Sequence, residues 1–178
     1  GLTNLTVLNL EGYGHTPTNV DALSELSNLR TLYLCYSAEC DMSAISDLHG
    51  LQELHLTGHS SKPEALPDLT SLVNLTELSL IEIGGLDSGI NADYLATLPA
   101  SLTKLDLNSS CIADMNALSG LTNLTELNLS RCKHIYEWER DGNTFANSKE
   151  LDDVSELSGL TKMTKLDLSL CGILDIRP

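Results

Sequence analysis

Residues 121–130 read LTNLTELNLS, and residues 2–11 read LTNLTVLNLE. Ten residues that recur almost unchanged more than a hundred positions apart direct the reading to internal repeats. The pattern L-x-x-L-x-L returns as Leu5-Leu8-Leu10, Leu29-Leu32-Leu34, Leu51-Leu54-Leu56, Leu75-Leu78-Leu80, Leu102-Leu105-Leu107, Leu124-Leu127-Leu129 and Met163-Leu166-Leu168. Successive first positions lie 24, 22, 24, 27, 22 and 39 residues apart. Self-similarity at this period predicts a solenoid.

Within each unit the last two leucines alternate with polar residues, as in Leu127-Asn128-Leu129. That is the period of a short strand with one face buried. The expected strands centre near residues 7–9, 31–33, 53–55, 77–79, 104–106, 126–128 and 165–167. A second apolar set follows with a spacing of three: Val20-Leu23-Leu26, Met42-Ile45-Leu48, Leu66-Leu69-Leu72, Met115-Leu118-Leu121 and Val154-Leu157-Leu160, with Ala92-Leu95-Leu98 as a weaker copy. Three residues per turn is the 3₁₀ helix. Asp41, Asp114 and Asp153 stand just before such segments, where a carboxylate can hold orphan N–H groups. No unit can bury its leucines alone, so stacking makes the core.

These repeats resemble the leucine-rich-repeat family, in its short 22-residue class, which includes bacterial internalins and the nuclear phosphatase-binding regulatory subunit. The resemblance covers residues 2–178 apart from one insertion. It implies an α/β solenoid: a curved right-handed superhelix with a parallel sheet on its concave side and 3₁₀ or irregular segments on its convex side. About seven repeats would form a single domain over 1–178, read as a fragment without capping units. There is one departure. Where the family usually carries an Asn ladder, three residues after the third leucine, the column reads Tyr13, Ser37, His59, Ile83, Ser110, Cys132, Cys171. Cys132 fits the Cys-bearing variants of the repeat. Tyr13, His59 and Ile83 are not simple substitutes, and irregular turns are expected in the first four units.

The sixth unit is long, with an insertion at 133–152 that holds Tyr136, Trp138 and Phe145 in a chain whose aromatics amount to 4%. It reads either as a loop packed over its own apolar residues or as a contact loop, and as the least ordered part.

Composition excludes several functions. Ten Lys and Arg stand against 25 Asp and Glu, a formal charge of −15. Such a surface repels a phosphate backbone, so no nucleic-acid partner is expected. No apolar run approaches the roughly 20 residues of a membrane span. No nucleophile elbow, kinase signature or phosphate loop occurs, and no enzyme and no cofactor are expected. His55 and His59 share the i, i+4 spacing but fall on a strand end and a turn, so no metal site is expected. The five cysteines are odd in number and argue against a closed disulfide framework. Cys132 and Cys171 are expected as two buried thiols. Sequons at Asn4, Asn74, Asn108, Asn123 and Asn128, one of them mid-strand, lean with the thiols toward a cytoplasmic or bacterial setting. A cell-surface or secreted setting is the alternative.

Two functions remain. The first is a protein-binding module that uses the concave face. The second is a structural spacer or regulatory arm of a larger surface, effector or signalling protein. The outward columns of the sheet read Val7-Thr31-Glu53-Glu77-Lys104-Glu126-Lys165 and Asn9-Tyr33-His55-Ser79-Asp106-Asn128-Asp167. In the first, the second half alternates in sign. Around the second, Tyr33, Tyr36, His55, Arg30 and Glu53 form the candidate partner-binding group, because Tyr and Arg are enriched at hot spots. Trp138 in the insertion is the competing candidate.

Overall fold

The computed structural model describes residues 1–12, 17–37, 39–58, 66–84, 89–140, 143–151 and 154–173, without the side chains of Tyr36 and of residues 134–140 and 143–150. Seven parallel strands carry the repeat: β1 (Val7–Leu10), β2 (Thr31–Tyr36), β3 (Glu53–Gly58), β4 (Glu77–Ile81), β5 (Lys104–Asp106), β7 (Glu126–Asn128) and β10 (Lys165–Asp167). They form one open sheet in the order β1-β2-β3-β4-β5-β7-β10. Every expected strand is present. The register pairs Val7 with Thr31, Glu53, Glu77, Lys104, Glu126 and Lys165 in turn, so both outward columns stand as the spacing predicts. The sheet is open and uncurled rather than visibly curved.

Inward-facing leucines make the core. Leu32, Leu54, Leu78, Leu105 and Leu127 are all buried. The return segments close that core. Residues Asp21–Glu25, Ser43–Asp47, Met115–Gly120 and Ser155–Gly159 are 3₁₀ turns, as the spacing of three requires. The weaker copy differs: Ala92–Ala96 is a short α-helix, α1, with Asn91 accepting the Tyr94 N–H at its start. Asp41 and Asp114 bind the N–H groups of Ser43 and Asn116, the expected role, and Asn19 does the same for Asp21. Asp153 lies outside the described residues.

Two side-chain ladders join the units. In the column where Asn is usual, Ser110 Oγ donates to the Leu80 carbonyl at 2.6 Å, Cys132 Sγ to Leu107 at 2.8 Å and Cys171 Sγ to Leu129 at 3.0 Å. Hydroxyl and thiol thus perform the amide's task. An Asn ladder does exist, but one residue before the first leucine: Asn28, Asn74 and Asn123 donate to the carbonyls of Thr3, His49 and Ala100 in the preceding unit. The recurring N-L dipeptide is its signal.

The expected irregular turns need a correction at unit four. Glu82, Ser109, Arg131 and Leu170, each just before the ladder column, all adopt a left-handed φ of 58–59°. The Ile83 turn therefore has the same backbone as its successors. Inter-unit bonds hold it there: Glu82 N–H donates to Asn108, Ser109 to Ser130 and Arg131 to Ser169. Ile83 is fully buried and needs no polar side chain, because its N–H takes Ser110 Oγ as acceptor at 2.9 Å. Tyr13 and His59 lie outside the described residues.

The insertion needs a second correction. It is not an irregular loop. Strands β8 (Lys133–Arg140) and β9 (Asn143–Glu150) pair antiparallel, and β8 adds in parallel to β6 (Cys111–Ile112) in a second sheet of order β6-β8-β9. The register leaves only Asp141 and Gly142 between paired Arg140 and Asn143. Asp-Gly between two strand-forming runs is a strong hairpin signal.

Candidate functional site

One column of the sheet decides where binding groups can stand. Asn9, Asp106, Asn128 and Asp167 each fold a side-chain oxygen back onto the N–H two residues ahead, at 2.8–2.9 Å. These local bonds compete with the strand ladder. Strands β5, β7 and β10 stop after three residues and β1 after four. Tyr33, His55 and Ser79 occupy the same column without closing such a turn, and β2, β3 and β4 continue for six, six and five residues. The N-terminal part of the sheet is thus both longer and provided with side chains that project from it.

Tyr33 and His55 are register partners on β2 and β3, and their rings stack with centroids 4.3 Å apart and planes 8° from parallel. His55 Nδ1 lies 3.0 Å from Ser79 Oγ on β4, in a bond whose direction depends on the tautomer. His55 Nε2 is buried and has no hydrogen-bond partner among the described residues. Glu53 Oε2 stands 3.9 Å from it and accepts from Thr31 Oγ1 at 3.2 Å. Ser79, His55 and Glu53 are not wired as a nucleophile relay. The carboxylate is beyond hydrogen-bond reach of the ring, and Ser79 is buried.

The neighbouring half of the face satisfies itself. Lys104 Nζ sits 3.6 Å from Glu77 and 3.5 Å from Glu126, and Lys165 Nζ is 3.5 Å from Glu126. The two carboxylates hold the Lys104 ammonium above its usual range, Glu77 first. A shallow depression of about 190 Å³ lies over this ladder. Asp167 is held below the usual carboxylate range, chiefly by the Ser169 backbone N–H.

Of the sequence candidates, the structure brings Tyr33, His55 and Glu53 together. Arg30 is committed elsewhere: one guanidinium nitrogen donates to the carbonyls of Leu29 and Gly50 at 3.0 and 3.1 Å. A Cβ on Gly50 would meet that guanidinium and displace it. Tyr36 ends β2, paired with Gly58, and its side chain lies outside the described residues. Trp138 belongs to the second sheet, cross-strand from Phe145. Ser79 and Thr31, which orient His55 and Glu53, were missed, although both stand in the outward columns. All five cysteines are free thiols. Among the described residues no group of three or more His, Cys, Asp or Glu could hold a metal ion, and no helix is long and apolar enough to cross a membrane.

Stacked parallel strands, inward leucines and 3₁₀ returns define a leucine-rich-repeat solenoid. Solved structures agree. An internalin, inlF, of Listeria monocytogenes superposes with a TM-score of 0.62 at 22% identity, over 98% of this chain and 44% of that one. Internalin C2 of the same species gives 0.55 at 24%, over 85% and 57%. A leucine-rich-repeat protein of Leptospira interrogans gives 0.56 at 20%, over 86% and 34%. The chain spans between 34% and 57% of the length of these proteins. No protein-family model and no curated protein sequence matches it.

Proposed function

We propose that this chain is a protein-interaction module whose partner docks on the open face of the seven-stranded sheet, anchored by Tyr33 and His55. The observation that carries the reading is the stacked Tyr33–His55 pair, held by strand register on the open face of the sheet. A rigid aromatic pair loses little entropy on binding, which suits a hot spot. The leucine-rich-repeat fold of the structural neighbours supports an interaction role in general. Tyr36, beside this patch in sequence, extends the proposal, and Trp138 marks the competing surface.

The test compares partner binding by Tyr33→Ala, His55→Ala and Trp138→Ala variants with unchanged melting temperature. Losses on the order of tenfold at Tyr33 and His55 are expected. Wild-type binding by both, with loss at Trp138, moves the site to the hairpin and defeats the reading.

A further inference from the structure

The outward charged column has a break in its pattern. From Glu77 onward it alternates as Glu77-Lys104-Glu126-Lys165, each lysine within 3.6 Å of a carboxylate. Glu53 stands directly in register with Glu77, a like-charge pair on adjacent strands. Such pairs are destabilising. Among the described residues no lysine or arginine lies within ion-pair distance of Glu53, and its one recorded ion-pair contact is His55 Nε2 at 3.9 Å. The carboxylate is accessible, with 42% of its side chain exposed. On this face Glu11, Glu53, Glu77, Asp106, Glu126 and Asp167 outnumber two lysines, both already engaged.

We infer that the occupant of this face is a basic polypeptide segment, one of whose arginine or lysine side chains seats over Glu53. This deepens the reading above and rests on it. The cation completes the alternation that the chain leaves open between Glu53 and Glu77. Its N–H groups bond the Glu53 carboxylate. Thr31 Oγ1, which donates to Glu53 Oε2 at 3.2 Å, helps to hold that acceptor in place. Charge complementarity with the net acidic face selects the partner and accelerates its encounter.

The probe is a fluorescein-labelled peptide of alternating arginine and glycine, followed by anisotropy at physiological salt, with the same peptide bearing citrulline as its neutral isostere. Glu53→Gln is expected to weaken the arginine peptide about tenfold, as loss of a charge-assisted hydrogen bond does. Glu25→Gln, on a 3₁₀ return segment, is expected to change it less than twofold. Glu53→Lys is expected to abolish binding and raise the melting temperature of the free protein, because it removes the like-charge pair. Equal losses for Glu53→Gln and Glu25→Gln, equal binding of the citrulline peptide, or a lowered melting temperature of Glu53→Lys would overturn the inference. So would displacement of the peptide by an equal concentration of spermine, which would show a site for free polyamines. If Tyr33→Ala and His55→Ala lose the partner while Glu53→Gln keeps it, the face remains the site and the basic segment is wrong.

Discussion

Cys132 shows how one atom joins two repeats. Its Sγ donates to the Leu107 carbonyl at 2.8 Å and is buried with the leucines around it. Burial pushes its thiol pKa well above the ordinary 9.0, a shift that the backbone N–H of Ser110 only partly opposes. Burial also raises Cys40 and Cys111. The thiolate is the nucleophile, so these three should resist a disulfide reagent at pH 8 in the native protein. Cys35, half-buried near the surface, should react first. Mass spectrometry of the labelled native protein checks the order, and early labelling of Cys132 would contradict it. The linkage follows in sign. A folded pKa above the unfolded 9.0 stabilises below that value, so stability should fall as pH rises past 9 toward the folded pKa. Denaturant midpoints at pH 8 and 10 measure the fall.

At the scale of the element, short-range chemistry sets strand length. An Asn or Asp in the second outward column stops β1, β5, β7 and β10, whereas Tyr33, His55 and Ser79 let β2, β3 and β4 run on. Between β8 and β9 the sequence reads Asp141-Gly142. Two-residue hairpin turns favour glycine because they demand positive φ. Gly142→Val should therefore loosen the hairpin while the seven-stranded sheet stays intact. Lys149, paired in register with His134, should resist trypsin in the wild type and be cut on the order of tenfold faster in the variant, with a small change in melting temperature. Rapid wild-type cleavage at Lys149 would contradict the paired hairpin.

Across the whole molecule the core is a row of equivalent leucines, those of the interior units covered on either side and Leu10 and Leu166 of the edge strands left exposed. Leu105, on the interior strand β5, is 2% exposed. Burying a leucine stabilises by roughly 1.5–3 kcal/mol, and an unpaired carboxylate in its place adds a larger desolvation cost. Leu105→Asp should abolish soluble expression or the cooperative thermal transition. A soluble variant with a wild-type melting curve would show that the register is wrong.

The solenoid, its strands and both outward columns were legible in the amino-acid order, because a repeat imposes the same burial demand on equivalent positions and a strand alternates with a period of two. The face on which Tyr33, His55 and Glu53 stand was legible for the same reason. Three things were not. That Arg30 is spent on the Leu29 and Gly50 carbonyls depends on where the neighbouring unit places its backbone. That Ser110, Cys132 and Cys171 replace an amide ladder depends on carbonyls delivered within 3 Å by stacking. That His55 Nε2 is buried and, among the described residues, finds no hydrogen-bond partner depends on distances between side chains from different units. Local pattern specifies which face a residue takes. Which partner it finds there is a property of the assembled stack.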